Sequence, residues 1–298
     1  MEIATSVKKS KAIYSAILNF LDSESNSNGE FQTLTKIIDD QEIVKNRDEF
    51  FKLLRLLYTI GDNHQLTTDF LNKLGLILQY LIKSKKIPVN NMEIYDIYKA
   101  NKRLLLHLLE CKIMIPSKSL YDLLKKTKNS NVHKLHYYYF PGIKQCFGES
   151  KTDIENEILQ NFKENYETFE SKIKQGENDS AICKIIRQDL LQDFVQYIKQ
   201  NYVTLTRTIQ PDFYEGNSFL IKNKPSLIEY ACFYGSINIV KYLLSQNVKF
   251  TQRIWHYVIR SQNTELINFL QENKIFLNDE LCVEYQIESV KSHHNSIA

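Results

Sequence analysis

The sequence predicts an all-α protein, with a helical repeat solenoid in its C-terminal half preceded by an N-terminal helical region. Three observations carry that prediction. Only 8 Gly and 5 Pro punctuate 298 residues, which is too few for a hairpin-rich β protein and suits long helices with short connections. Apolar residues recur at intervals of three and four along most of the chain, the spacing that gives a helix one buried face. From about residue 180 the helices become shorter and come in pairs that resemble one another.

The first helix covers 7–21, with Ile13, Ala16, Ile17, Phe20 and Leu21 on one side. Lys8, Lys9 and Lys11 give this stretch a superficial likeness to a secretory leader. Ser15 and Asn19 interrupt it, however, and Asp22 follows with no small-residue cleavage pattern, so an amphipathic helix is expected. The polar run 25–29 ends it. A second helix passes through Phe50, Leu53, Leu54, Leu57 and Ile60 and stops at Gly61; a third spans 66–83 with Phe70, Leu74, Ile77, Leu78 and Leu81 buried. Residues 92–112 give one or two helices with Leu104, Leu105, Leu108 and Leu109 inside. Ser117 caps a short helix through Leu124, and Pro141-Gly142 breaks the chain after Phe140. One long polar helix is expected over 152–174, with Gly176 just past its end.

Composition restricts function. Hydrophobic residues make up 43% of the chain, enough for a substantial core, and the 18 Tyr and 16 Phe are unusually many, so those that the core does not need are available to an interface. The 38 Lys+Arg against 35 Asp+Glu leave a net charge of +3, which argues against a nucleic-acid partner. The lysine runs 83–86 and 125–128 read as solvated loops. Five widely spaced cysteines without a CxxC pair point to reduced thiols, so a cytoplasmic or nuclear setting is expected. No run approaches the roughly 20 apolar residues of a membrane helix, and membrane insertion is not expected.

The C-terminal repeat is clearest at 226–250, SLIEYACFYGSINIVKYLLSQNVKF. Ser226 can cap a first helix, Ala231 is small where two helices approach, and Gly235 can take the positive φ of a tight turn. Ile239, Val240, Leu243 and Leu244 form the apolar stripe of a second helix. The next unit aligns with a shift of 27, matching Leu266 to Ile239, Val258 to Ala231 and Gln262 to Gly235. An upstream unit aligns with a shift of 45, matching Phe194 to Ile239 and Ile198 to Leu243. The extra length holds 211–225, which reads as an extended loop or finger. Residues 279–290 are expected to cap the array and 291–298 to be a flexible tail.

These residues resemble the ankyrin repeat, whose units open on TPLHxA and continue to a helix of the form xxIVxxLLxxGA. Glu229 stands where the family has His, Asn247 stands at the terminal Gly, and both shifts depart from the usual period of about 33 residues. The stretches IRQDLLQDFVQYI and SFLIKNKPSLIEYACFYGSINIVKYLL, with the upstream NKRLLLHLLECKIM and YYYFPGIKQ, are similar to divergent ankyrin proteins of protists that carry a domain of unknown function. The resemblance covers about residues 101–275. It implies an all-α repeat protein, and the chain is read as an N-terminal helical region or degenerate repeats over 1–150 and ankyrin-like repeats over 151–290.

Ankyrin arrays meet partners through finger tips and the exposed ends of first helices. By that resemblance, Phe233 and Tyr234, with their counterparts Arg260 and Ser261 and the finger residues Lys222, Asn223 and Lys224, are the expected partner-binding residues. The expected function is non-catalytic protein–protein interaction with an acidic, partly apolar partner. Self-assembly is the first alternative and nucleic-acid binding the second. No GxGxxG or GxxxxGK[ST] pattern is present, and no cofactor or small-molecule substrate is expected. His133, His136 and Cys146 lack a second ligand pair at zinc spacing, and no nucleophile signature surrounds Cys183, Cys232 or Cys282, so neither a metal site nor an enzyme is expected.

Overall fold

The protein, described by a computed structural model, is all-α over the described residues, with seventeen helices. Those residues are 2–23, 28–42, 45–64, 66–83, 87–126 and 134–275, together with Tyr285 and Ser289; side chains are described from residue 11 onward. Cys282, His133 and the tail 291–298 lie outside them, as do most of the expected cap, 84–86 of the first lysine run and 127–128 of the second. No helix among the described residues is long and apolar enough to cross a membrane. The chain divides into two compact units, Met1–Gly61 with Leu66–Asn156 and Asp62–Gln65 with Glu157–Ala298.

In the first unit α1 (Glu2–Asp22) packs on α2 (Asn28–Asp40) and on α4 (Thr68–Lys83), and α3 (Arg47–Asn63) supplies Phe50, Leu53, Leu54 and Leu57 to the core. The helix α2 begins inside the polar run expected to be a loop, because Leu34 and Ile38 fall one turn apart and are fully buried. The helix α3 continues through Gly61, where the side chains of Leu104 and Leu74 leave little more than a hydrogen's space. Two short helices, α5 (Asn91–Tyr98) and α6 (Lys102–Glu110), occupy the 92–112 stretch, each capped by an asparagine: Asn90 bonds Glu93 N and Asn101 bonds Leu104 N.

The centre of this unit is α6, which contacts α4, α5 and α8 (Leu135–Ile143) and is buried from Lys102 to Leu109. Beside α8 lies α7 (Lys118–Lys126). The expected break at Pro141-Gly142 is absent: α8 runs through both, since Gly142 carries no side chain to strike Leu109, whose Cβ lies 2.8 Å from where a Cβ would stand. The helix gives up the hydrogen bond that a proline nitrogen cannot make.

One polar cluster interrupts this core. His107 Nε2 lies 3.3 Å from Cys111 Sγ, and His107 Nδ1 lies 3.7 Å from Glu110 Oε2. Arg103 Nη1 lies 3.4 Å from the same carboxylate oxygen. Burial pulls the His107 pKa down, but bonding to Cys111 and Glu110 outweighs it and pushes the pKa up to about 9. A group whose pKa rises on folding stabilises the fold fully below its unfolded value, near 6.5, and loses that contribution as pH climbs to the folded value. Unfolding followed in urea should therefore show this unit losing up to ~2–3 kcal/mol between about pH 6.5 and 9. His107→Gln should remove that slope, and an unchanged slope in the variant would assign it elsewhere.

Candidate interaction surface

The second unit begins with α9 (Lys151–Phe162), which straddles the division, and α10 (Tyr166–Gln175). One long helix was expected here. Lys163 instead takes a left-handed φ of 56°, and Asn165 caps a new helix by accepting from Thr168 N at 2.8 Å. Three helix pairs follow: α11 (Ala181–Arg187) with α12 (Leu191–Gln200), α14 (Leu227–Phe233) with α15 (Ile237–Ser245), and α16 (Ile254–Ser261) with α17 (Thr264–Glu272). First helices pack on first helices, α11 on α14 and α14 on α16, and α12 packs on α15. Phe194, Ile186, Ala231, Cys232, Val240, Leu243, Val258 and Leu266 are fully buried between them.

Each pair turns through one left-handed residue: Asp189 (φ 51°), Gly235 (φ 68°) and Gln262 (φ 53°). Each second helix also ends on one: Tyr202, Asn247 and Lys274. The last two pairs keep a constant offset of 27 at both positions, Gly235 to Gln262 and Asn247 to Lys274. The first pair is offset by 46 at the turn, Asp189 to Gly235, and by 45 at the helix end, Tyr202 to Asn247. The stretch from turn to helix end thus holds one residue more in α12 than in α15.

Successive turns are bonded to one another. The Asp189 carboxylate accepts from Asn238 N at 3.0 Å, Asn238 Nδ2 at 2.8 Å and Ile239 N at 3.0 Å, satisfying amide groups at the start of α15. Ser236 Oγ donates to Ile186 O at 2.6 Å, and Asn263 Nδ2 donates to Gly235 O at 3.2 Å. Ser226 and Glu229 form a reciprocal cap on α14, with Ser226 N donating to Glu229 Oε2 at 2.8 Å. That gives a structural reason for an acidic residue at this position.

The stretch expected as an extended finger is neither extended nor detached. Arg207–Ile209 pairs antiparallel with Pro225–Leu227: Ile209 N donates to Pro225 O at 2.7 Å and Leu227 N to Arg207 O at 3.1 Å. Between these ends Phe213 and Tyr214 pack on Phe162 and Phe169. The six-residue helix α13 (Ser218–Asn223) then forms, capped by Asn217. It forms because Leu220 and Phe219 have the α14–α16 surface to cover.

The seven expected partner-binding residues are placed differently by this packing. Phe233 is only 3% exposed and stacks on Phe219 with ring centroids 6.1 Å apart, so its ring belongs to the core. Tyr234 is half-buried, packed on Tyr230 at 4.8 Å with the Arg187 guanidinium 5.8 Å from its ring. Arg187 is itself held by Tyr230 Oη at 2.9 Å, Asn178 O at 2.9 Å and Glu177 at 2.8 Å. Burial pushes the Tyr230 and Tyr234 phenols far up, and both stay neutral. Ser261 is half-buried and donates to Val258 O at 2.7 Å.

The remaining four form one edge with residues that the sequence did not single out. The Arg260 guanidinium lies 4.0 Å from the Phe219 ring, and Tyr257 meets the same ring at 5.0 Å. Arg253 donates to Asn223 Oδ1 at 3.0 Å, while Asn223 Nδ2 donates to Phe219 O. Lys222, Lys224 and Arg253 are exposed. The result is a basic rim around a half-buried phenylalanine. Its unpredicted members are Phe219 and Arg253, with Tyr257, 1% exposed, in the core beneath the ring; the apolar pair Phe219-Leu220 inside a presumed loop is the signal that could have revealed them. Comparison with family models, with curated proteins and with solved structures returns no match.

Two substitutions test the turn bonding. Asp189→Ala removes three bonds to one carboxylate and should destabilise this unit by about 1–2 kcal/mol, read as a lower urea midpoint. Gly235→Val places a β-branched residue at φ 68°, with its Cβ 2.7 Å from Asn263 Nδ2. It should cost ~1–3 kcal/mol. Wild-type denaturation of both variants would refute the assigned turn geometry.

Proposed function

We propose that this chain is a non-catalytic protein-binding scaffold whose second unit is an ankyrin-like helical repeat. Three helix pairs with left-handed turns at matching positions, hydrogen-bonded turn to turn, support the repeat reading. The irregular offsets are what an insertion between the first and second pairs and a shortened connection before the third would produce. The observation that carries the binding reading is the basic rim: Lys222, Lys224 and Arg253 exposed around Phe219, on a base fixed by stacking to Phe233 and Arg260. A rim of this kind suits an acidic partner with an apolar contact point, because the aromatic base is already ordered and little side-chain entropy is lost on binding.

A specific observation also favours self-assembly. Leu190 is 40% exposed and Tyr202 93% exposed at the two ends of α12. Along that helix Leu191, Val195 and Lys199 line a shallow groove of about 580 Å³.

Lys222→Glu with Lys224→Glu separates the readings. Both side chains are exposed, so circular dichroism should be unchanged, while proteins captured by the wild-type chain should be lost at least about tenfold. Capture of the same proteins at the same level by wild type and variant would reject the rim. A mass that rises with concentration, and falls back with Tyr202→Ser, would favour self-assembly. Salt-sensitive retention on nucleic acid would favour the basic-surface alternative.

A further inference from the structure

The first unit contains a cluster that a binding function does not use. On α6 and at its C-cap, Arg103, His107, Glu110 and Cys111 stand within one or two turns of each other, beside a helix otherwise lined with leucine. Cys111 is half-buried at the helix end and is not in a disulfide. We propose that Cys111 is a modification site, a thiol activated by the His107–Glu110 pair for oxidation by hydrogen peroxide to the sulfenic acid.

The geometry is that of a nucleophile, a base and an orienting carboxylate. His107 Nε2 is 3.3 Å from the sulfur and Nδ1 is 3.7 Å from Glu110 Oε2, while Arg103 Nη1 holds the same oxygen at 3.4 Å. His107 is protonated up to about pH 9 and lies in the last turn of α6, where the helix dipole favours a cation. Reactive cysteines sit in electropositive, partly exposed surroundings, and this sulfur has the His107 ring 3.3 Å away with the Arg103 guanidinium in the same cluster. The groups that act on the ring are Cys111, Glu110 and Arg103 of its own helix. From α4 come Gly75 and the uncharged amide of Gln79, which reaches Cys111 O at 3.4 Å.

The backbone of α4 approaches closely: a Cβ on Gly75 would stand 2.9 Å from His107 Nε2 and 3.1 Å from Cys111 Sγ. The thiolate attacks one peroxide oxygen, and the S–O bond forms as the O–O bond breaks. The departing hydroxide takes the proton of the His107 imidazolium, leaving water and Cys–SOH. Buried Cys183 and Cys232 have their thiols pushed up by burial and are poor competitors.

The test treats the full chain with peroxide, traps sulfenic acid with dimedone and maps the peptides. Cys146, also half-buried, is the accessible control. Cys111 should be trapped about tenfold faster than Cys146, His107→Gln should bring it down to the Cys146 rate, and Glu110→Gln should lower it part of the way. Equal rates for Cys111 and Cys146 in the wild-type chain overturn the proposal, as does an undiminished rate in His107→Gln. Labelling of buried Cys183 reports unfolding; if His107→Gln unfolds, the rate in Glu110→Gln decides.

Discussion

One left-handed residue at the end of each first helix governs the geometry of residues 181–275. A helix that stops on such a residue turns in two or three positions and sends the next helix off at a fixed angle. Glycine takes this conformation without cost, but Asp189 and Gln262 do not, and a side chain there is disfavoured by roughly 1 kcal/mol or more. Asp189 offsets the cost because its carboxylate receives three donors from the start of α15, the second helix of the next pair. Beside Gln262 the next residue does the bonding: Asn263 caps α17 through Leu266 N and reaches back to Gly235 O. The turn therefore does two things at once. It sets the angle within a pair and it fixes the pair to its predecessor, so the buried faces of α11, α14 and α16 meet without long connections.

That arrangement explains how the long segment between α12 and α14 is accommodated. The antiparallel pairing of Arg207–Ile209 with Pro225–Leu227 brings the ends of the insertion together. The chain thus enters α14 in the position that a short loop would give. What lies between is free to fold back. Phe213 and Tyr214 fill a gap beside Phe162 and Phe169, and Phe219 lies on Phe233, Tyr257 and Arg260. The inserted segment is anchored at both ends and along its apolar residues, and its lysines remain outside because they cannot be desolvated without partners.

The sequence made the helices legible wherever one face was continuously apolar, as in α4, α6 and α15. It also revealed Ser226 as a cap and Gly235 as a turn, because both act locally through their own backbone. It failed where distant contacts decide. Nothing local marks Lys163 as left-handed, and the helix pattern of 152–174 passes straight through it. The run 25–29 is polar, yet α2 starts within it because Leu34 and Ile38 find a core. Phe233 was legible as an aromatic at a helix end but not as a buried one. Its burial depends on Phe219, fourteen residues earlier, in a segment that carries no repeat of its own. The cluster on α6 was open to inspection as His and Cys four apart, but leucines on every side made it look like core.

Two of the cationic networks among the described residues differ in what they hold. Arg187 joins the end of α11 to the α14 tyrosines and to the backbone of Asn178, so its bonds tie separate elements together. Arg103, Glu110, His107 and Cys111 all lie on one helix and its cap, and their mutual bonds join nothing that the helix has not already joined. Buried ion pairs rarely add stability over aliphatic side chains of the same size, because desolvation consumes the Coulombic gain. On packing grounds leucine or methionine would serve these positions on α6 as well as it serves their neighbours. What the polar set supplies and leucine cannot is a held proton, placed 3.3 Å from a half-buried sulfur. The cluster's contribution to cohesion is the pH-dependent one of His107, and the rest of what it offers is chemistry at the thiol.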